Sequence, residues 1–345
     1  MRYHRALTGP SHCDSMGFPM RMLHSTGVLS HSAVACAVMF AALACSGPDA
    51  GTDTAPNPAS SVAAIDGAAL LRHVSILAAD SMEGRALGTP GNARARRYVE
   101  AAFRSIGLES FGEGFGHPFA VAGSDAEGVN LIGYVQGSAE PGTFLVITAH
   151  YDHLGVRDGQ TYNGADDNAS GTAGLLELAA HFAANPARHS ILFAAVDAEE
   201  GGLQGARALV ADPPVPLEQI AVDINLDMVS NSDSLLFVAG THHYPFLAAH
   251  VEAVVPQPGV VVRLGHDLPG TGSDDWTSAS DHGPFHEVGI PFLYFGVEDH
   301  PYYHQPGDTF ETINQDFLLA AIETVRQIVE ELDERLPEVV AASGR

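Results

Sequence analysis

With 345 residues, 46% of them hydrophobic, the chain can bury a sizeable core, and an α/β unit of roughly 250 residues or more can still be one domain. A formal net charge of -26, from 42 acidic against 16 basic residues, sets the surface against DNA, RNA and anionic lipid headgroups, so no nucleic-acid partner is expected. All 16 basic residues are arginine, which excludes a Schiff-base lysine and a P-loop phosphate lysine. The 3 cysteines, Cys13, Cys36 and Cys45, all lie near the N-terminus, so the remaining chain offers neither a disulfide nor a thiolate.

Residues 1–45 read as a targeting segment. Arg21 precedes the apolar run AVACAVMFAALAC (33–45), which at about 13 residues is too short to cross a bilayer as a helix but suits the apolar part of a signal peptide. The run ends in ALACSG, similar to a bacterial lipoprotein cleavage site, with Cys45 as the lipidated first residue. Ala42 stands where leucine is usual, and a plain secretory signal cut nearby is the alternative. The expectation is an exported, periplasmic or cell-envelope protein whose only membrane contact is a lipid anchor at Cys45. Residues 46–64, small, polar and proline-rich, cannot bury enough apolar surface to offset their ordering entropy and read as a flexible linker. The chemistry is assigned to a domain over 65–340.

That domain opens with apolar residues at helical spacing in 68–80 and an amphipathic helix in 91–108 that ends at Gly107. Strand-length apolar runs follow at 129–135, 143–149, 191–198, 221–227, 234–240, 259–264 and 291–296. Helical segments at 170–184, 244–255 and 316–336 lie among them. Strands alternating with helices predict an α/β three-layer sandwich with a mostly parallel central sheet, and continuous apolar strands predict that helices cover both faces. No internal repeat is visible.

In such sheets, ligands sit beyond the C-terminal ends of the strands. The run 143–149 leads into His150, Tyr151, Asp152 and His153; 191–198 leads into Glu199 and Glu200; 221–226 leads into Asp227. NGADDNASG (163–171) is a glycine-bounded turn feeding a helix, and HPYYHQPGDT (300–309) follows the last strand. Singly, each has an ordinary explanation: a histidine hydrogen-bonded to a carboxylate, an N-cap, an exposed acidic turn. Together they converge histidines and carboxylates at neighbouring strand ends, a donor set that suits zinc, with manganese or cobalt as substitutes. Adjacent Glu199 and Glu200 can divide the work, one ligating metal and the other acting as general base. Asp152 fits as the partner that orients His150.

At these residues the chain resembles the co-catalytic dizinc aminopeptidases, the family that also holds glutamate carboxypeptidase II and bacterial leucyl aminopeptidases. The resemblance runs from about Asp66 to Leu336 and includes LAADSMEGRALGTPGNARARRYVEAAF (77–103) and SDHGPFHEVGIPFLYF (280–295). It implies two zinc ions, with Asp167 rather than Asp166 as the bridging carboxylate. It pairs His150 with Asp227 on one metal and Glu200 with His304 on the other, and makes Glu199 the general base. It also implies Tyr303 as a hydroxyl on the tetrahedral oxyanion, a cis peptide after Asp167, and peptides with free N-termini as substrates. The stretch between Gly112 and Gly128 leaves no room for the protease-associated domain that many relatives insert. The disulfide that several exported relatives carry near the active site cannot form here.

Four questions stay open in the sequence. A dipeptidase or carboxypeptidase, a single-zinc glutaminyl cyclase, and a non-catalytic surface-binding lipoprotein could all use this scaffold. His282 either touches substrate or makes a structural hydrogen bond. His300 packs or caps, and His117, His242 and His243 belong to loops or the surface. Trp276 either lines a specificity pocket or packs.

Overall fold

The strand-length runs form one 8-stranded sheet in a computed structural model that describes residues 64–345. The signal segment, Cys45 and the linker up to residue 63 lie outside the described residues. In chain order the strands are β1 (Gly116–Ala120), β2 (Glu127–Val135), β3 (Glu140–His150), a separate hairpin of β4 (Gly155–Arg157) and β5 (Gln160–Tyr162), β6 (His189–Val196), β7 (Ile220–Leu226), β8 (Leu235–Ala239), β9 (Val261–Leu264) and β10 (Phe292–Gly296). The helices are α1 (Gly67–Leu77), α2 (Pro90–Ile106), α3 (Gly171–Ala184), α4 (Gln204–Ala211), α5 (Ala248–Ala253), α6 (His282–Glu287), α7 (Gln315–Glu334) and α8 (Leu336–Ser343). Among the described residues no helix is long and apolar enough to cross a membrane.

The sheet order is β1-β2-β6-β3-β7-β10-β8-β9. Its centre, β6-β3-β7-β10, is parallel. The flanks are not: β1 and β2 run antiparallel to each other and β2 to β6, while β8 runs antiparallel to β10. The parallel centre was legible in the sequence. The antiparallel strand β1 was not, because GHPFA alternates exposed and half-buried residues at the sheet edge and shows no apolar run. His117, expected in a loop or on the surface, is half-buried within this edge strand.

Strand alternation sends the two faces into different cores. From β3, Leu145, Ile147 and Ala149 pack on one side with α1, α2, α3 and α7, which contribute Leu70, Phe103, Leu175 and Ile322. Full burial of each such leucine or isoleucine contributes about 1.5–3 kcal/mol. Phe144 and Val146 face the other side, where Leu209 of α4 and Phe285 of α6 close a smaller core. On that second face the apolar run is broken by fully buried polar residues, Thr148 of β3 and Asp223 and Asn225 of β7. Thr148 donates to Asp223 Oδ1 at 3.0 Å and accepts from Asn225 Nδ2 at 3.0 Å. This polar stripe leads toward the strand ends that carry His150 and Asp227.

Helix boundaries follow capping chemistry. The Asp66 carboxylate accepts the N–H groups of Ala68 and Ala69 at the start of α1. Thr89 caps α2, with Pro90 as its first residue and left-handed Gly107 at its end. Asn314 caps α7. The expected helix over 244–255 is shorter than its pattern, because Pro245 opens a 3₁₀ turn and only Ala248–Ala253 is α-helical.

Candidate metal centre

The loop between Gly164 and Gly171 positions the central carboxylate. Gly164 adopts φ +57°, and a Cβ there would stand 2.1 Å from the Asp167 carbonyl and 2.5 Å from the His153 ring. A Cβ on Gly171 would stand 2.3 Å from both Asn168 Oδ1 and the Leu226 carbonyl. Both positions therefore require glycine. Asn168 ties the loop to the end of β7: Nδ2 donates to Leu226 O at 2.8 Å, and Oδ1 accepts the Gly171 N–H at 2.8 Å. The Asp167–Asn168 peptide is cis.

This backbone separates the two neighbouring aspartates. Asp166 turns inward, accepting the N–H and hydroxyl of Ser230 at 2.7 and 2.6 Å, with His300 Nε2 3.1 Å away. Asp167 turns toward the strand ends. Its Oδ1 lies 3.4 Å from His150 Nε2, and its Oδ2 lies 3.0 Å from His304 Nε2 and 3.7 Å from His153 Nδ1. His150 Nε2 also lies 3.3 Å from Asp227 Oδ1, and His304 Nε2 lies 3.5 Å from Glu200 Oε2. The structure thus gathers His150, Asp167, Asp227, Glu200 and His304 around one carboxylate, with Glu199 and Tyr303 lining the same cavity of about 410 Å³.

The donors fall into two overlapping sets. His150, Asp167 and Asp227 present ligand atoms within 4.8 Å of one another, and so do His153, Asp167 and Glu200. His153 has no place in the sequence-based ligand set. It is buried, and its Nδ1 lies 2.7 Å from Glu200 Oε1, but the approach lacks hydrogen-bond alignment: among the described residues both ring nitrogens and that Glu200 oxygen have no hydrogen-bond partner. Burial lowers the His153 pKa to about 3, leaving a neutral imidazole. Buried, unpaired nitrogen and carboxylate donors are what a divalent cation satisfies, and the protein's own cations do not match the carboxylates present. The residues fit a metal.

Around this cluster the protein's charges act in opposing directions. Burial pulls the His150 imidazole down, but the Asp227 and Glu199 carboxylates outweigh it and hold the ring well above the usual histidine range. Burial raises Glu199 well above the ordinary carboxylate range, with His150 opposing, and raises Glu200 as well. Burial pushes against ionised Asp227, yet neighbouring His150 brings its pKa below the ordinary value. His150 Nδ1 lies 3.2 Å from the Asp152 carbonyl and 3.7 Å from its carboxylate. Asp152 Oδ1 also accepts the Glu199 N–H at 3.1 Å, joining the first strand end to the Glu199–Glu200 turn.

Three buried groups behind the cluster escaped sequence reasoning. Arg85 is fully buried and donates to the carbonyls of Tyr151, Leu77, Asn163 and Gly164 at 2.8, 2.7, 2.6 and 2.8 Å. Burial lowers its pKa to about 10, against the opposing pull of Asp167 and Asp308. Asp308 accepts the N–H groups of Asp166 and Asp167 at 2.9 and 3.0 Å, and burial lifts it to about 7. Asp281, at the start of α6, is fully buried, and among the described residues neither of its carboxylate oxygens is paired. Burial lifts it to about 8, with His150 opposing and Asp227 and Asp152 adding. The motifs MEGR, SDHGPF and PGDT were visible in the sequence, but nothing local announced the burial of their charges.

The open alternatives for other residues resolve into packing. His282 is fully buried, and its Nε2 lies 2.7 Å from the Trp276 carbonyl, a structural bond. Trp276 stacks on His266 with ring centroids 3.7 Å apart and packs edge-on to Phe237 and Tyr294. His300 lies against Asp166, with Nε2 3.1 Å from its Oδ2. His242 is exposed, and His243 Nε2 lies 2.9 Å from the Thr277 hydroxyl.

Residues 130–329, a span that contains every one of these strand-end donors, match the sequence profile of peptidase family M28. The chain belongs to that family. The M28 chain is 33% identical over 200 residues to the aminopeptidase YwaD of Bacillus subtilis, a match covering 54% of this chain but only 40% of that relative's length. Its fold matches the crystal structure of a zinc aminopeptidase from Bacillus subtilis with a TM-score of 0.60 at 19% identity, covering 77% of this chain and 95% of the other. It also matches the glutaminyl cyclase of Bacteroides thetaiotaomicron with a TM-score of 0.64 at 18% identity, covering 78% and 99%. At such identities the two structures share the M28 chain's three-layer fold with its mostly parallel centre.

Proposed function

We propose that the M28 chain is a zinc-dependent aminopeptidase that removes N-terminal residues from peptides. The observation that carries this reading is the placement of Asp167, whose two oxygens face separate histidine-carboxylate sets. On this reading two zinc ions would be held, one by His150, Asp167 and Asp227 and the other by Asp167, Glu200 and His304, with His153 beside the second set. Bound metal supplies Lewis acidity that polarises the scissile carbonyl and makes water a nucleophile near neutral pH.

The chain's own groups then divide the remaining work. The carboxylate-lined cavity attracts the substrate's free α-amine. Glu199, raised by burial, takes a proton from the attacking water and gives it to the departing amine. Asp152, accepting the Glu199 N–H, fixes the turn from which that carboxylate projects. Tyr303 stacks on His304 with ring centroids 4.0 Å apart, and burial together with Asp167 and Asp227 keeps its hydroxyl protonated, so that it can donate to the developing oxyanion.

The test compares aminoacyl-p-nitroanilides and free peptides with their N-acetylated counterparts, before chelation, after it, and after zinc is restored. The expected result is chelator-sensitive, zinc-restored cleavage of free N-termini alone. Equal cleavage of blocked peptides moves the reading to an endopeptidase or carboxypeptidase, and cyclisation of N-terminal glutamine without hydrolysis moves it to a cyclase. We also infer export with lipidation at Cys45 from the 33–45 run. A mature N-terminus at any other residue, read by mass spectrometry, contradicts that inference.

A further inference from the structure

The cavity over the donor cluster is lined by Asp167, Glu199, Glu200 and Asp227, and Arg207 is the arginine among its lining residues. Arg207 arrives there through a short, hydrogen-bonded path. The Glu199 carbonyl accepts the N–H groups of Gly202 and Leu203 at 2.8 and 2.9 Å, folding that turn back against the proposed base. The Leu203 carbonyl then accepts the Arg207 N–H at 2.9 Å, so Arg207 sits one helical turn farther along α4. Its side chain also lines a second, more open cavity of about 570 Å³, which shares Gly202 with the first. Arg207 and Gly202 are thus common to the walls of both spaces.

Glu287 of α6 holds this guanidinium by both edges, with Nη1 to Oε2 at 2.7 Å and Nη2 to Oε1 at 3.1 Å. Both side chains are about half exposed, at 48% and 52%. An ion pair this wet is weakly held, and its geometry shows the fork already set to receive a carboxylate.

We propose that Arg207 recognises the free C-terminal carboxylate of a dipeptide bound in this cavity, so that the enzyme favours dipeptides over longer or amidated substrates. The proposal rests on the aminopeptidase reading. In that reading Glu199 hands its proton to the departing amine, so the departing residue lies on the Glu199–Leu203 side of the cavity. One extended residue adds about 3.3–3.6 Å of chain, which carries a dipeptide's carboxylate beyond the scissile carbonyl along the wall that includes Gly202, Leu203 and Arg207. Without a cation there, that carboxylate would face a wall of like charge. The substrate carboxylate exchanges with Glu287 on the guanidinium.

The test measures kcat and KM for leucyl-leucine, leucyl-leucinamide and leucyl-p-nitroanilide in the full zinc-loaded chain and in Arg207→Gln, Arg207→Lys and Glu287→Gln. The expected wild-type result is a preference of about tenfold or more for leucyl-leucine over its amide, carried by KM, as for a charge-assisted fork. Arg207→Gln brings that ratio close to one, Arg207→Lys keeps part of it, and Glu287→Gln lowers KM for leucyl-leucine by removing the competing carboxylate. Leucyl-p-nitroanilide hydrolysis with equal efficiency on leucyl-leucine and its amide overturns the proposal and leaves the aminopeptidase reading standing. A wild-type preference that survives Arg207→Gln overturns it too. Failure on all three substrates overturns both.

Discussion

Arg85 and Arg207 flank the same carboxylate cluster and are held in opposite ways. Arg85 lies behind it at 0% exposure, its guanidinium spent on the carbonyls of Leu77, Tyr151, Asn163 and Gly164. Arg207 lines the cavity, half exposed, and among the described residues its guanidinium pairs with one carboxylate, Glu287, that solvent can reach. The first binds backbone that must not move: Tyr151 follows the proposed ligand His150, and Gly164 opens the loop that aims Asp167. The second binds a side chain that another anion can replace. In a chain this acidic, a cation buried against carbonyls is framework, and a cation left wet at the cavity wall is available to substrate.

Breaking the buried side of this comparison has the largest effect. Arg85→Ala leaves its carbonyl partners without a donor, each at a cost of about 1–3 kcal/mol, against a typical total stability of about 5–15 kcal/mol. A loss of several kcal/mol is expected in denaturant unfolding, with zinc affinity falling alongside. An Arg85→Ala protein as stable as wild type contradicts the framework role. Next comes Glu199→Gln, which keeps the donor set intact and removes the proton carrier. A fall in kcat of about 10²–10⁴ is expected with zinc content unchanged, and normal turnover at full zinc occupancy contradicts Glu199 as base.

Arg207→Gln sharpens the comparison from the exposed side. Stability is expected to move by no more than about 0.5 kcal/mol, while selectivity for a substrate carboxylate moves by about tenfold. A large drop in melting temperature instead places Arg207 with the framework. The smallest effect is a slope. Burial raises Asp281 from 3.8 to about 8, so the folded chain holds a proton there that the unfolded chain has released. The contribution of Asp281 to the stability of the metal-stripped protein is therefore greatest below about pH 4, declines as pH climbs toward 8, and levels off above it. Asp281→Asn should flatten that decline, and an unchanged slope assigns it to other groups.

The same contrast explains what the sequence could tell. The parallel centre and its strand-end donors were legible because apolar runs mark buried strands, and His150, Glu199, Glu200 and Asp227 follow those runs directly. Choosing Asp167 over Asp166 needed the family resemblance, since both stand before one helix and only the backbone turn at Gly164–Asn168 decides which faces the histidines. Arg85 and Asp308 left no local sign: a buried charge is defined by partners at sequence separations of 66 and 141. Asp223 and Asn225 did leave one, as polar residues alternating inside an apolar strand, and they mark the sheet face that leads to the site. His153 was visible beside His150, but only the fold brings it against Glu200.

The central claim is that Asp167 joins two metal sites into one working centre. It is tested most directly by counting zinc per chain in wild type and Asp167→Asn by elemental analysis, with leucyl-p-nitroanilide turnover measured on the same samples. The account predicts two zinc ions and activity in wild type, and loss of both ions and of turnover in the variant. Two ions with undiminished turnover in Asp167→Asn contradict it.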